Sequence, residues 1–98
     1  MTILKKKSYK DKAIKELRGI PGVGKSIAED LWNIGIRKIE DLKGQDPELL
    51  YDLSSIHAGV KQDRCLLYVY RCAVYFADTN KSEREPSKLQ WWNWKDLR

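Results

Sequence analysis

The sequence predicts an all-α fold, a compact bundle of about five helices in one domain. Two observations carry this. Apolar residues recur at helical spacing in most segments, and the punctuation between them is that of helix ends. The one run that suits a buried strand, "CLLYVYRCAVYFA" at 65–77, has no other segment to pair with. At 13 residues it is also long for a strand.

Taken in order, residues 1–8 read as a flexible basic tail, and 9–98 as the single domain with an aromatic C-terminal segment. An amphipathic helix over about 9–18 carries Ala13, Ile14 and Leu17 and ends at Gly19. A second runs from near Gly24 to Asn33. Val23, Ile27, Leu31 and Ile34 share one of its faces, and Gly35 stops it. A short helix over about 37–43 presents Ile36, Ile39 and Leu42. "GQDPELL" is a restart: Asp46 at the N-cap, Pro47 at N1, then Glu48. That helix is expected to bury Leu49, Leu50, Leu53 and Ile56 before "IHAGVKQD" turns the chain. The apolar run becomes the central buried helix, from about Gln62 to Asp78. After the polar "TNKSEREPS", the segment "EPSKLQWWNWKD" opens a short terminal helix with Pro86 in its first turn.

Composition limits the function classes. A chain of 98 residues, 34% charged and 42% hydrophobic, is a globular domain with a modest core. No run of about 18 apolar residues offers a membrane span. No apolar stretch follows the basic N-terminus as in a signal peptide, so a cytoplasmic location is expected. Cys65 and Cys72 lie about 10 Å apart along a helix axis, too far for a disulfide, and read as two buried free thiols. With a single histidine, no zinc site and no cofactor is expected.

Charge is unevenly placed. The net charge is +5, but residues 1–25 hold eight Lys/Arg against two Asp/Glu, and residues 26–63 hold four against eight. The basic end includes the stretch "GIPGVGKS", residues 19–26, which matches the phosphate-binding loop of nucleotide triphosphatases letter for letter. Its context does not match. A buried parallel strand must precede such a loop, whereas "KKKSYKDKAIKELR" is mostly charged and helical in period.

A glycine turn between two helices instead fits a helix-hairpin-helix. Gly22 and Gly24 occupy positions of positive φ or of no room for a Cβ, Val23 plugs the core, and the second helix points unpaired amides outward. Those amides and the positive helix end suit a phosphate, with Lys25 adding charge. Lys5, Lys6, Lys7, Lys10, Lys12 and Arg18 extend the basic field. A degenerate second copy is expected in "IHAGVK". Ile56 aligns with Ile20, Ala58 with Gly22 and Lys61 with Lys25, and glycine recurs out of place at Gly59. The fold would then be a tandem pair of hairpins in which the second packs more than it binds.

Four stretches, "IPGVGKSIAEDLWNIGI", "DLKGQDPELLYD", "CLLYVYRCAVYFA" and "LQWWNWKD", make the chain resemble the small bacterial pathogenicity-locus family, whose members carry a helix-hairpin-helix. The resemblance spans Leu17 to Asp96. It implies an all-α fold and DNA binding, with Gly22, Gly24 and Lys25 and the neighbouring Val23 and Ser26 amides at the phosphate contact, and implies no reaction. Some relatives carry a mitomycin-resistance label, a hint of a DNA-damage context. The departure at 56–61 puts a second contact in doubt.

Trp91, Trp92 and Trp94 are expected to pin the C-terminal segment to the core, with at least one exposed, rather than to stack on bases. Arg71 inside the apolar helix is expected to pair with a carboxylate, Asp52 or Asp96, or to cap carbonyls. His57 reads as a turn cap. Asp41, Asp46 and Asp52 each have a local helix role, and no nucleophile–base pair or paired-carboxylate site is present, so no enzymatic activity is expected. The reading is a DNA-binding protein without sequence preference, with double-stranded DNA as partner. The alternative is a protein-interaction module without direct DNA binding.

Overall fold

A computed structural model describes the backbone of residues 2–96 and the side chains of residues 9–96. It contains four α-helices: α1 (Thr2–Leu17), α2 (Lys25–Asn33), α3 (Pro47–Ala58) and α4 (Arg64–Asp78). Short 3-10 segments lie at Ile39–Leu42, Lys81–Glu83, Pro86–Leu89 and Trp91–Trp94. No strand occurs among the described residues. The all-α class follows, with a single 3-10 turn where a short helix over 37–43 is expected from the sequence.

α1 begins at Thr2 and takes in the residues that the sequence reading assigns to a tail. The lysine-rich stretch consists mostly of good helix formers, and neither Gly nor Pro interrupts it before Gly19. The side chains of Lys5, Lys6 and Lys7 lie outside the described residues.

α4 is the centre of the molecule. α3, the 39–42 segment and the 3-10 segments Pro86–Leu89 and Trp91–Trp94 pack on it, and α1 packs on α2. Its Leu67, Tyr70 and Cys72 are among the most deeply buried side chains, together with Leu17, Ile20, Leu31 and Leu42. The hydroxyl of Tyr70 forms a buried 2.7 Å hydrogen bond with that of Ser54. Burial pushes the Tyr70 phenol well above its ordinary range. Removing either hydroxyl would strand the other in the core at a cost of about 1–3 kcal/mol.

That pair explains a correction on α3. Leu50 is buried as expected, but the other core positions are Tyr51 and Ser54, while Leu49, Leu53 and Ile56 face solvent. Apolarity alone misassigns the face, because Tyr51 and Ser54 enter the core by satisfying their hydroxyls, Tyr51 on the carbonyl of Gln62 and Ser54 on Tyr70. The Asp46 carboxylate accepts from the Glu48 amide at 2.9 Å, and Pro47 opens the helix. The far end is closed by Gly59 in the left-handed region (φ 76°), not by His57. The amides of Gly59 and Val60 bond to the carbonyls of Ile56 and Ser55, a Schellman turn.

Of the two thiols, Cys72 is buried and Cys65 exposed, a second correction; both are free. Cys65 stands in the first turn of α4, at the end where the run meets solvent.

The C-terminal segment is strapped to α4. Arg71 bonds Asp96 at 2.9 Å and the Trp94 carbonyl at 2.8 Å, with Glu48 at 3.4 Å, so Asp96 and not Asp52 is its partner. Arg64 holds Asp96 at 2.8 Å. Trp94 donates its indole N–H to the Lys88 carbonyl at 2.8 Å and tilts against Tyr75. Trp91 packs on the core and Trp92 is exposed. The expected terminal helix is two 3-10 turns, with Pro86 at the start of the first.

Candidate nucleic-acid interface

The turn between α1 and α2 is pinned at two apolar points. Ile20 and Val23 are both buried, and the Val23 amide bonds the Ile20 carbonyl at 3.1 Å. Between them Gly22 lies at φ +84°, a conformation that an L side chain resists by roughly 1–2 kcal/mol. A Cβ there would also stand 3.0 Å from Trp91 Cδ1. Gly22 thus answers both demands of a tight turn, and Val23 is the plug.

Gly24 is glycine for a different reason from the one expected. Its φ of −92° and ψ of −170° suit any residue, and nothing lies within 4 Å of a Cβ built there. It is the N-cap of α2, and it brings no side chain to cap with. The first bond of the helix is from the Ala28 amide to the Gly24 carbonyl, at 2.9 Å. The amides of Lys25, Ser26 and Ile27 have no acceptor among the described residues. The Lys25 and Ser26 side chains are exposed beside them, as is Arg18 across the turn.

The starts of α3 and α4 are closed. Asp46 caps α3, and Asp63 caps α4 by accepting from the Cys65 amide at 2.8 Å. That bond holds the Asp63 carboxyl below its ordinary range. A phosphate approaching α4 would meet a carboxylate already in place.

The structure therefore brings Gly22, Val23, Gly24, Lys25, Ser26 and Arg18 into one turn. Lys12, exposed, and Lys10, partly buried, stand about 9 and 12 Å further up α1. In the second turn Ala58 is the last residue of α3, Gly59 is its left-handed cap, and Lys61 is exposed. By backbone conformation Gly59, not Ala58, corresponds to Gly22. Val60 is exposed where Val23 is buried, so this turn lacks the apolar plug.

Two features escaped sequence reasoning. The first is Trp91 seated against Gly22, a contact between residues far apart in sequence with no local signal. The second is a groove of about 580 Å³ along α1 and α2, lined by Tyr9, Lys12, Ala13, Glu16, Trp32, Arg37 and Lys38. The Arg37 guanidinium lies 3.5 Å over the Trp32 ring and donates to the Trp32 carbonyl at 2.7 Å. The aromatic and basic residues of "WNIGIRK" were its visible trace.

A smaller groove of about 410 Å³ runs from Gly22, Ile27 and Trp91 to Asp63 and Cys65. Asp30 lines it too, its carboxyl pushed up chiefly by burial, with Glu29 adding to the effect. Among the described residues no group of three or more His, Cys, Asp or Glu is placed to hold a metal ion. No helix among them is long and apolar enough to cross a membrane.

These features define a small all-α protein whose glycine turn presents uncapped helix amides beside a basic helix. The profile of the pathogenicity locus family matches residues 10–98, and the chain belongs to that family. It is 33% identical over 79 residues to a protein of Streptomyces lavendulae named mitomycin resistance protein McrB, across 81% of this chain and 70% of that one. No solved structure matches.

Proposed function

We propose that this protein binds the backbone of double-stranded DNA without sequence preference, using residues 20–26 as the hairpin of a helix-hairpin-helix. The observation that carries this is the uncapped start of α2. Three adjacent amides have no acceptor there among the described residues, Gly24 leaves the approach clear, and Lys25 stands beside it. Unpaired amides and the positive helix end favour a phosphate oxygen. The basic field of Arg18, Lys12 and Lys10 on the adjoining helix supports a polyanionic ligand over a free phosphate. We read the α3–α4 turn as the degenerate second hairpin, which does not bind, because Asp63 fills the position a phosphate would take. The name of the Streptomyces relative supports a DNA-damage context.

The test is anisotropy of a labelled duplex with three proteins. Gly24→Asp places a carboxylate on the α2 amides and lowers affinity by at least about tenfold, while Lys6→Ala, which removes one charge, lowers it by about threefold or less. Equal losses, with both variants folded by circular dichroism, would replace the amide cradle with a diffuse basic patch.

A further inference from the structure

The groove along α1 and α2 combines stacking surface with unpaired positive charge. On α1, Tyr9, Lys12 and Glu16 fall at i, i+3 and i+7, one face of the helix, and Trp32 at the end of α2 completes the lining with Arg37 and Lys38. Tyr9 is 62% exposed. The Arg37 guanidinium lies 3.5 Å over the Trp32 ring and is fixed there. Its Nη1 donates to the Trp32 carbonyl at 2.7 Å, and the Arg37 amide donates to the Asp41 carboxylate at 2.9 Å. Lys12, Arg37 and Lys38 are exposed, and among the described residues none of the three forms an ion pair with a carboxylate. Glu16, the one carboxylate in the lining, accepts from the Ile39 amide at 2.8 Å.

We infer that this groove takes an unpaired nucleotide of the DNA held at the α1–α2 turn, its base stacked on Tyr9 and the Arg37–Trp32 pair and its phosphates on Lys12 and Lys38. The inference rests on the phosphate reading of that turn and narrows its substrate to a duplex beside a short single strand. Three cations alone would suit any acidic chain. Aromatic rings and a guanidinium plane select bases, which stack on both. A paired base has both faces covered by its neighbours in the duplex, so only an unpaired one can enter. The groove's volume of about 580 Å³ lies within the range of sites that enclose small ligands. The two sites also share a track. Lys25 and Trp32 lie on one face of α2, at i and i+7, about 10 Å apart along the axis. That length is about three base steps of a duplex strand. A strand with one phosphate on the α2 amides therefore reaches the groove within a few nucleotides.

The test compares labelled DNAs by anisotropy at one salt concentration. They are a blunt duplex, the same duplex with an unpaired extension of about four nucleotides at its 5′ or 3′ end, and that duplex with an abasic extension. The wild type should bind the better of the two extended duplexes about tenfold more tightly than the blunt one. The abasic extension keeps the phosphates and loses the bases, so its duplex should bind within about threefold of the blunt one. Tyr9→Ala and Arg37→Gln alter exposed residues, so their circular dichroism should match wild type. Each should abolish the preference for the extension while changing blunt-duplex affinity by about threefold or less. Equal binding of blunt and extended duplexes, both weakened by Gly24→Asp, would overturn the groove inference and leave the phosphate reading intact. A preference that survives the abasic extension, or survives in both groove variants, would show that charge alone attracts the extension and would also overturn the inference. A base-dependent preference in a protein that Gly24→Asp does not weaken would support the groove and remove the amide cradle.

Discussion

A Cβ at position 22 would stand 3.0 Å from Cδ1 of Trp91, so the glycine turn and the C-terminal aromatic segment close on each other. Gly22→Ala therefore meets two obstacles, the left-handed backbone and the indole. It should cost about 2 kcal/mol or more in urea unfolding, and it should shift the tryptophan emission of the folded state. A loss under about 0.5 kcal/mol would mean that Trp91 does not hold this turn.

Gly24 should behave in the opposite way. Its backbone lies in the region N-cap residues adopt, and the space around it is open. Asp is the better cap, so Gly24→Asp should unfold at the same or slightly higher urea concentration, a gain of a few tenths of a kcal/mol. Loss of DNA binding in this variant would then report on the site and not on the fold.

The docking of the C-terminal segment should depend on pH. Hydrogen bonds from Arg64 and then Arg71 draw the Asp96 carboxyl down from the ordinary 3.8 to about 2. A depressed folded-state pKa means that the contribution is present above about 3.8 and lost as pH falls toward 2. Tryptophan emission followed through an acid titration should show a step in that window, and Asp96→Asn should remove it. The same step in Asp96→Asn would assign it to another carboxylate.

The two cysteines should separate in a thiol assay. Burial pushes the Cys72 thiol up to about 11, whereas Cys65 is exposed. A disulfide reagent should titrate one thiol in the folded protein and the second only in denaturant. The reaction at Cys65 should be slowed, because the neighbouring Asp63 carboxylate raises its pKa. Two fast thiols in native buffer would contradict the buried position of Cys72.

Salt should act on DNA affinity in proportion to the few phosphates that one hairpin and its neighbours reach. A slope of about −2 to −4 in log K against log salt is expected for the duplex. A slope near zero would show that phosphate contact is not the source of binding.

Much of this architecture was legible because the signals were local. Asp46–Pro47 and Gly35 bound their helices as their chemistry requires, and the i, i+4 spacing of Val23, Ile27 and Leu31 marked the inner side of α2. The cost of an unpaired charge within a largely buried helix required a carboxylate or carbonyl partner for Arg71 but did not select one; the structure supplies both, Asp96 and the Trp94 carbonyl. Tertiary contacts were not legible. Tyr51 and Ser54 enter the core through hydroxyl partners on other segments, and no pattern within α3 distinguishes them from the leucines left outside. The residue types of the candidate site were visible in "IPGVGKS", but the role of Gly24 was not. Only the geometry separates a glycine needed for its backbone, Gly22, from one needed for its missing side chain.

The central claim is that the amides at the start of α2 receive a phosphate, and amide shift mapping tests it most directly. With the ¹⁵N-labelled protein titrated by a short duplex at low salt, the largest movements should fall on Gly24, Lys25, Ser26 and Ile27, with smaller ones along α1 and none at Asp63–Cys65. Movements confined to the lysines of α1, or to the α3 face at 49–60, with residues 24–27 unmoved, would contradict it.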